Sequence, residues 1–378
     1  MKTILFNQPI QKKKYAFYVK KFLNSNQSLH GPGEYSEQIK KILIKRYKFK
    51  NILLTNSCTS ALEIAALSID IKKGDEVIVP SYSFITSASS FARCGAKIVY
   101  CDIDKHDLMP TLQQIKERIT KKTKAIVIVH YQGKSINYLD ILQNFCKKHK
   151  IYLIEDAAQA LGSFFKKKAL GLFGDFSCFS FHQTKNIHSG VGGLLLVNNN
   201  KFLNKANFII DKGSDRQLVI QNKKKFFSWV TLGSSYILPE LNCSYLLPQI
   251  IEYNKLINYR KKLYEKYILN LSKYKKDYFN IIHNYDFEFN YHALVILLKN
   301  NFRDKLLQYL KRKSINAFIG YMPLHKSSYG KKYYQKKNLL QITDRVHSKI
   351  IRLPLHNYLK INDIDYICKE INNFFEKN

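Results

Sequence analysis

The stretch FSFHQTKNIHSGVGG, residues Phe179 to Gly193, sets one lysine, Lys185, between a polar HQT run and a glycine cluster. Strand-like runs flank it: GDFSCFSF before and GGLLLVNN after. Working outward, DEVIVPS (Asp75–Ser81), KIVYCDI (Lys97–Ile103), KAIVIVHY (Lys124–Tyr131) and YLIEDAA (Tyr152–Ala158) read as further strands. The spacing predicts helices between them: SCTSALEIAALSI with a stripe of Ala61, Leu62, Ile64, Ala65 and Leu67, SASSFARCG ending at Gly95, and NYLDILQNFCKKHK with its lysines last. Continuous Ile/Val runs alternating with helices imply a buried, mostly parallel sheet, so the fold class is α/β.

Beyond about Tyr236 the pattern changes. LNCSYLLPQIIEYNKLINYRKKLYEKYILNL reads as one long helix that Pro248 should kink or interrupt, because proline lacks the N–H and crowds the preceding turn. YHALVILL and NAFIGYMPL read as strands around the helix RDKLLQYLKRK, and a last helix, INDIDYICKEINNFFEKN, has Asn362 as its expected N-cap. The expected division is a large domain over 1–240 and a smaller α+β unit over 241–378. The lysine-rich QNKKKF and YGKKYYQKKN read as solvated loops.

With 378 residues and 46% hydrophobic residues, the chain has material for a large core, which argues against global disorder. The opening MKTILFNQPIQKKK turns polar too soon for a signal peptide, and no apolar run reaches the roughly 20 residues of a membrane span. The expectation is a soluble cytoplasmic protein. Seven scattered cysteines form no C-x-x-C pair, which gives neither a zinc site nor a disulfide framework any support from spacing, and no metal is expected. The net charge of +34 is compatible with an anionic partner, but the lysines run along the whole chain beside abundant Asn, Ile, Tyr and Phe. That joint bias reads as compositional drift, whereas a nucleic-acid footprint gathers its cations on one face.

At the strand ends lie three pieces of chemistry. Asp156 and Gln159 end a central strand, where parallel α/β sheets bind ligands. Ser57, Cys58 and Thr59 open a helix, and free N–H groups at a helix start suit phosphate. Lys185 supplies an amine. Pyridoxal 5'-phosphate needs that set: a lysine for its aldehyde, an acid to keep its pyridine nitrogen protonated, and donors for its phosphate.

NSCTSALEIAAL, GDEVIVPSYSF, IEDAAQALGS, FSFHQTKN with GVGG, and YMPLH, in that order, resemble the DegT/StrS sugar-nucleotide aminotransferases; HGPGEYSEQIKK fits that family's glycine-containing approach to the active site. The resemblance runs from near the start of the chain to its end. It implies the aspartate-aminotransferase fold, type I of the pyridoxal-phosphate-dependent transferases. Within the family, TNSCTSALEIAAL, VHYQG and LGSSYILPEL are most similar to the transaminases that make dTDP-4-amino-4,6-dideoxygalactose. Many relatives carry Asn and Arg where Ser235 and Ile237 stand here.

By matching position the resemblance gives Lys185 the covalent and proton-transfer role. It gives Asp156 the pyridinium nitrogen, Gln159 the 3-oxygen, and Phe84 a stacking position on the ring. The phosphate falls to Cys58, Thr59 and Ser180, with Ser235 arriving from a partner subunit of a homodimer with shared active sites. His182, Tyr321 and His325 are candidates for the sugar-nucleotide side, with core positions as the alternative. Val191 replaces the glutamate of the family's common GEGG. The implied reaction takes an amino group from L-glutamate, through pyridoxamine phosphate, to a dTDP-linked 4-keto-6-deoxy sugar. It releases 2-oxoglutarate and an amino sugar for a surface polysaccharide. Two alternatives stand beside it: a cofactor-dependent sugar dehydratase of the same fold, whose relatives typically lack the lysine, and a basic non-catalytic nucleic-acid binder.

Overall fold

The computed structural model describes residues 3–272, 277–283, 288–334 and 339–377. Nine strands precede the long helical segment: β1 (Ile52–Thr55), β2 (Glu76–Pro80), β3 (Lys97–Cys101), β4 (Thr123–Val129), β5 (Tyr152–Asp156), β6 (Phe164–Phe165), β7 (Lys168–Ala169), β8 (Phe176–Ser180) and β9 (Gly193–Val197). Seven of them form one sheet in the order β1-β9-β8-β5-β4-β2-β3, and β6 and β7 form a separate two-stranded ribbon. β9 pairs antiparallel with both β8 and β1; the other pairings in the large sheet are parallel. The mostly parallel sheet expected from the apolar runs is present.

Those runs are continuous because both faces of the sheet are covered. Along β2, Ile78 packs into one apolar layer while Val77 and Val79 pack into the other, as the two-residue alternation of a strand requires. All five residues of β2 and of β9 are buried. Helices Cys58–Ser68, Thr86–Arg93 and Leu139–Lys148 form where the apolar spacing places them.

The long helical segment is two helices, Glu240–Ile251 and Tyr253–Leu271. Pro248 remains inside the first, and the break falls four residues later at Glu252. Its carboxylate is drawn to the N-terminal helix Lys13–Leu23 by the Tyr15 hydroxyl at 2.9 Å and the Lys12 amine at 3.4 Å. Cys243, Leu246, Leu247, Ile250 and Leu256 belong to the core of the large sheet, and the core of the smaller unit begins at Leu263. The hand-over between cores therefore lies within helix Tyr253–Leu271.

The smaller unit has an antiparallel sheet of β10 (Phe279–Ile281), β11 (Leu294–Leu298) and β12 (Ile350–Leu353). Only β11 matches a strand expected from sequence. NAFIGYMPL is a connector touching β12 through a single bridge, Phe318 to Arg352. Its Pro323 lacks a donor for a ladder. The C-terminal helix Ile361–Glu376 starts one residue before Asn362, because the Asp363 carboxylate accepts the Lys360 N–H at 2.7 Å and takes the capping role. QNKKKF is exposed. YGKKYYQKKN forms a short turn at Gly330–Tyr333, and its residues 335–338 lie outside the described residues. Among the described residues no helix is long and apolar enough to cross a membrane.

Candidate active site

The C-terminal edge of the large sheet, with the smaller unit against it, encloses a cavity of about 480 Å³. Its wall includes Ser57, Cys58, Thr59, Phe84, Asp156, Gln159, Ser180, His182, Lys185 and Tyr321. The strand ends and the helix start thus meet, as the α/β rule places ligands.

Lys185 sits in a loop pinched between β8 and β9. Phe181 N–H bonds Gly192 O at 2.8 Å, Gln183 N–H bonds Gly190 O at 2.8 Å, and Ser189 N–H bonds Phe181 O at 2.9 Å. The next residue, Asn186, is anchored to the smaller unit: its amide donates to Asn290 O at 2.8 Å, and its Oδ1 lies 3.1 Å from His292 Nδ1. The lysine's backbone is therefore fixed while its side chain reaches the cavity. Burial lowers the Lys185 pKa, the positive charge of Arg352 adds to that, and Cys58 and Asp156 oppose it.

Asp156 closes β5 and is buried. Ser87 Oγ donates to its Oδ2 at 2.5 Å and the Ala158 N–H to its Oδ1 at 3.2 Å. Burial pushes its pKa up, against the pull of those two donors and of Lys185. The preceding residue holds the strand in place. The buried carboxylate of Glu155 accepts from His130 at 2.8 Å, Ser177 Oγ at 2.9 Å and the N–H groups of Gly171, Phe173 and Gly174. Burial alone would raise the Glu155 pKa; His130 and these donors bring it below the ordinary carboxylate value.

Helix Cys58–Ser68 starts at the cavity. Ser57 Oγ caps it by accepting the Ser60 N–H at 3.0 Å, while the first N–H groups of a helix have no partner within it. Gly193 makes this geometry feasible. A Cβ there would lie 2.4 Å from Ser57 C and 2.5 Å from Cys58 N, so only glycine lets β9 back directly onto the helix start.

Gln159 is engaged on both sides of its amide: Oε1 accepts the Gln132 N–H at 2.8 Å and Nε2 donates to Tyr321 Oη at 2.6 Å. Tyr321 packs with Tyr82, Phe84 and Tyr131, with ring centroids 5.9 to 6.0 Å apart. Phe84 keeps half its surface exposed at the cavity mouth. The exposed His182 ring is turned by Thr184, whose Oγ1 lies 2.9 Å from its Nδ1. Val191, where the resembling family has glutamate, lines the cavity; its carbonyl accepts from Ser189 Oγ at 2.9 Å.

His325, expected on the sugar-nucleotide side, is not on this wall. His325 is buried with both ring nitrogens engaged, Nδ1 against Ser81 Oγ at 2.7 Å and Nε2 against Asp344 Oδ1 at 3.0 Å. It ties the smaller unit to the end of β2. Ser235 is exposed, and its carbonyl accepts from the Asn56 side chain at 3.0 Å. The HGPGEYSE segment does not line this cavity; the buried Glu240 carboxylate accepts the N–H groups of its Gly33, Tyr35 and Ser36.

The wall also has residues that the sequence reading did not single out: Phe6 and Asn7 near the N-terminus, Thr184, His292, and Arg352 on β12. The signal for Arg352 was an arginine inside the apolar run IIRL. On β12, Ile351 and Leu353 enter the small core, while Ile350 packs into the large one. Alternation puts Arg352 on the same face as Ile350. His292 is buried, and its pKa is held well below the ordinary value by burial first and then by Lys185 and Arg352.

Chemically, the cavity joins an amine of lowered basicity, a buried carboxylate, and a helix start able to receive phosphate. Its charged side chains are two cations, Lys185 and Arg352, to one carboxylate, Asp156, which favours anionic ligands. The close approach at Gly193 and this donor set fit pyridoxal phosphate. Among the described residues no three His, Cys, Asp or Glu side chains gather as a metal site.

The chain matches the DegT/DnrJ/EryC1/StrS aminotransferase family over residues 9–372. It is 27% identical to a GDP-perosamine synthase of Vibrio cholerae, covering 91% of each chain. It is 26% identical to a dTDP-4-dehydro-2,3,6-trideoxy-D-glucose 4-aminotransferase of Saccharopolyspora spinosa, covering 85% of this chain and 83% of that protein. Among solved structures, it superposes with a TM-score of 0.90 and 26% identity on Helicobacter pylori PseC, an aminotransferase involved in the biosynthesis of pseudoaminic acid, over the whole of both chains. From fold, site and sequence match together, this chain belongs to the DegT/DnrJ/EryC1/StrS aminotransferase family.

Proposed function

We propose that this chain moves an amino group from L-glutamate to the keto carbon of a nucleotide-linked 4-keto-6-deoxy sugar, with dTDP as the nucleotide, giving dTDP-4-amino-4,6-dideoxygalactose and 2-oxoglutarate. The observation that carries the reading is the convergence of Lys185, Asp156 and the start of helix Cys58–Ser68 on one cavity. Pyridoxal phosphate, when bound, supplies an electron sink that stabilises negative charge at the donor's α-carbon.

The chain's own residues do the rest. Cys58, Thr59 and Ser180 hold the phosphate with N–H and hydroxyl donors. Asp156 faces the ring nitrogen, and its raised pKa makes it a strong acceptor for that nitrogen's proton. Gln159, held by Gln132 and Tyr321, faces the 3-oxygen. Phe84 covers the ring. Lys185 Nζ, whose basicity is lowered by burial, accepts a proton from one carbon and returns it to another. His182 and Tyr321 face the sugar nucleotide.

The working unit is a homodimer in which Ser235 enters the partner's cavity. An apolar segment next to Ser235 supports this: Phe226 is 83% and Trp229 78% exposed in the single chain. Burial of such a patch is a usual reason for association. The names of the relatives include both GDP- and dTDP-linked sugars, so the test offers both. The purified protein, with pyridoxal phosphate and L-glutamate, is given dTDP-4-keto-6-deoxyglucose or GDP-4-keto-6-deoxymannose. The products are read by mass spectrometry. An amine from the dTDP sugar, with equal 2-oxoglutarate, is expected. Amination of the GDP sugar alone would overturn the nucleotide, and no amine from either would overturn the substrate class.

A further inference from the structure

Among the described residues Arg352 is a cation without a counter-charge. Its Nε is buried and accepted by nothing, and no carboxylate lies within ion-pair distance of it among the described residues. Its Cζ lies over the face of Phe6, 5.3 Å from the ring centroid. The buried Arg260 shows the contrast: its Nε donates to Tyr291 O at 3.0 Å and its Nη2 to His292 O at 2.8 Å. A buried guanidinium N–H with no acceptor costs stability unless something completes it. Its backbone is rigid, since the β12 register pairs it with Val295 and Phe318 exchanges two hydrogen bonds with it, at 2.7 and 2.9 Å.

We propose that Arg352 is the receptor for the α-carboxylate of the amino donor; this rests on the transaminase reading above. The planar fork of a guanidinium matches a carboxylate with two parallel hydrogen bonds. Position selects the donor over the sugar nucleotide. An α-carboxylate is bonded directly to the carbon that loses its proton, so its receptor must stand beside the amine that takes that proton. A nucleotide diphosphate is separated from the keto carbon by the sugar ring. Arg352 and Lys185 line the same cavity.

The test uses the full-length protein loaded with pyridoxal phosphate, with Arg352→Gln and Arg352→Lys beside the wild type. 2-Oxoglutarate and dTDP are titrated separately by calorimetry, and cofactor occupancy is read from absorbance. Arg352→Gln should weaken 2-oxoglutarate binding roughly 10- to 100-fold, the effect of a lost charge-assisted pair. dTDP binding and cofactor occupancy should stay unchanged, and Arg352→Lys should recover part of the loss. Unchanged 2-oxoglutarate binding in Arg352→Gln overturns the proposal, and so does a loss confined to dTDP. If the wild type takes up no cofactor, the transaminase reading itself fails, which the occupancy measurement separates from the other outcomes. If Arg352→Gln does not fold, Arg352→Lys decides: 2-oxoglutarate binding equal to wild type would overturn the bidentate receptor.

Discussion

Single residues here follow from what burial does to charge. Lys134 is the clearest case outside the reaction. Its amine is buried, donating to Gln132 Oε1 at 3.0 Å and Ile282 O at 2.7 Å, and burial lowers its pKa from 10.5 to about 7, with Asp107 opposing. The sign follows from linkage. As pH falls from 10.5 towards 7, the unfolded chain takes up a proton that the folded chain refuses, so stability declines over that window and the loss is complete below about 7. Lys134→Met removes the titration and leaves a constant cost for the two lost hydrogen bonds. Its stability relative to wild type should therefore be better at pH 7 than at pH 10, by an order of a few kcal/mol in urea unfolding. An equal difference at both pH values would refute the burial argument. Lys185 shows what the sequence reveals at this scale. Its neighbours in FSFHQTKN mark it out, whereas Arg352 sits in a strand that the apolar pattern alone did not distinguish, and its importance comes from what is missing around it in space.

Elements position the site through backbone contacts. The strands around Asp156 and Lys185 were legible because each is buried on both faces, so hydrophobic runs mark them directly. NAFIGYMPL was not, because it makes a single isolated bridge and its polar and apolar residues follow no single period. Helix ends depend on which carboxylate arrives: Asp363 rather than Asn362 sets the last helix, and Glu240, more than two hundred residues away in sequence, caps Glu34–Tyr47. The contact between β9 and helix Cys58–Ser68 is the one with chemical consequence. Gly193→Ala would press a methyl group into the Ser57–Cys58 peptide and move the helix start. The expected outcome is pyridoxal phosphate binding weakened by at least about tenfold, equivalent to about 1.4 kcal/mol, in an absorbance titration. Unaltered affinity would mean that the helix start does not hold the phosphate.

For the whole molecule, the charge and the apolar surface bear on different questions. The net charge of +34 is spread over the chain, and the cavity uses only two of those cations. The exposed Phe226, Phe227 and Trp229 instead concern assembly. Trp229→Glu should shift the protein to monomer in sedimentation and remove turnover, because Ser235 no longer reaches a partner's cavity. A fully active monomer would refute the shared site. Fold and cofactor chemistry were legible from the order of motifs along the chain. The hand-over between the two cores was not, since it falls inside helix Tyr253–Leu271, where no break in composition marks it.

The most direct measurement is reduction of the cofactor-loaded protein with borohydride, followed by peptide mass spectrometry. The pyridoxyl phosphate mass is expected on the peptide containing Lys185 and on no other, and Lys185→Ala, folded by circular dichroism, should carry no label and show no turnover. A label on another lysine, or a Lys185→Ala variant that turns over normally, would contradict the account.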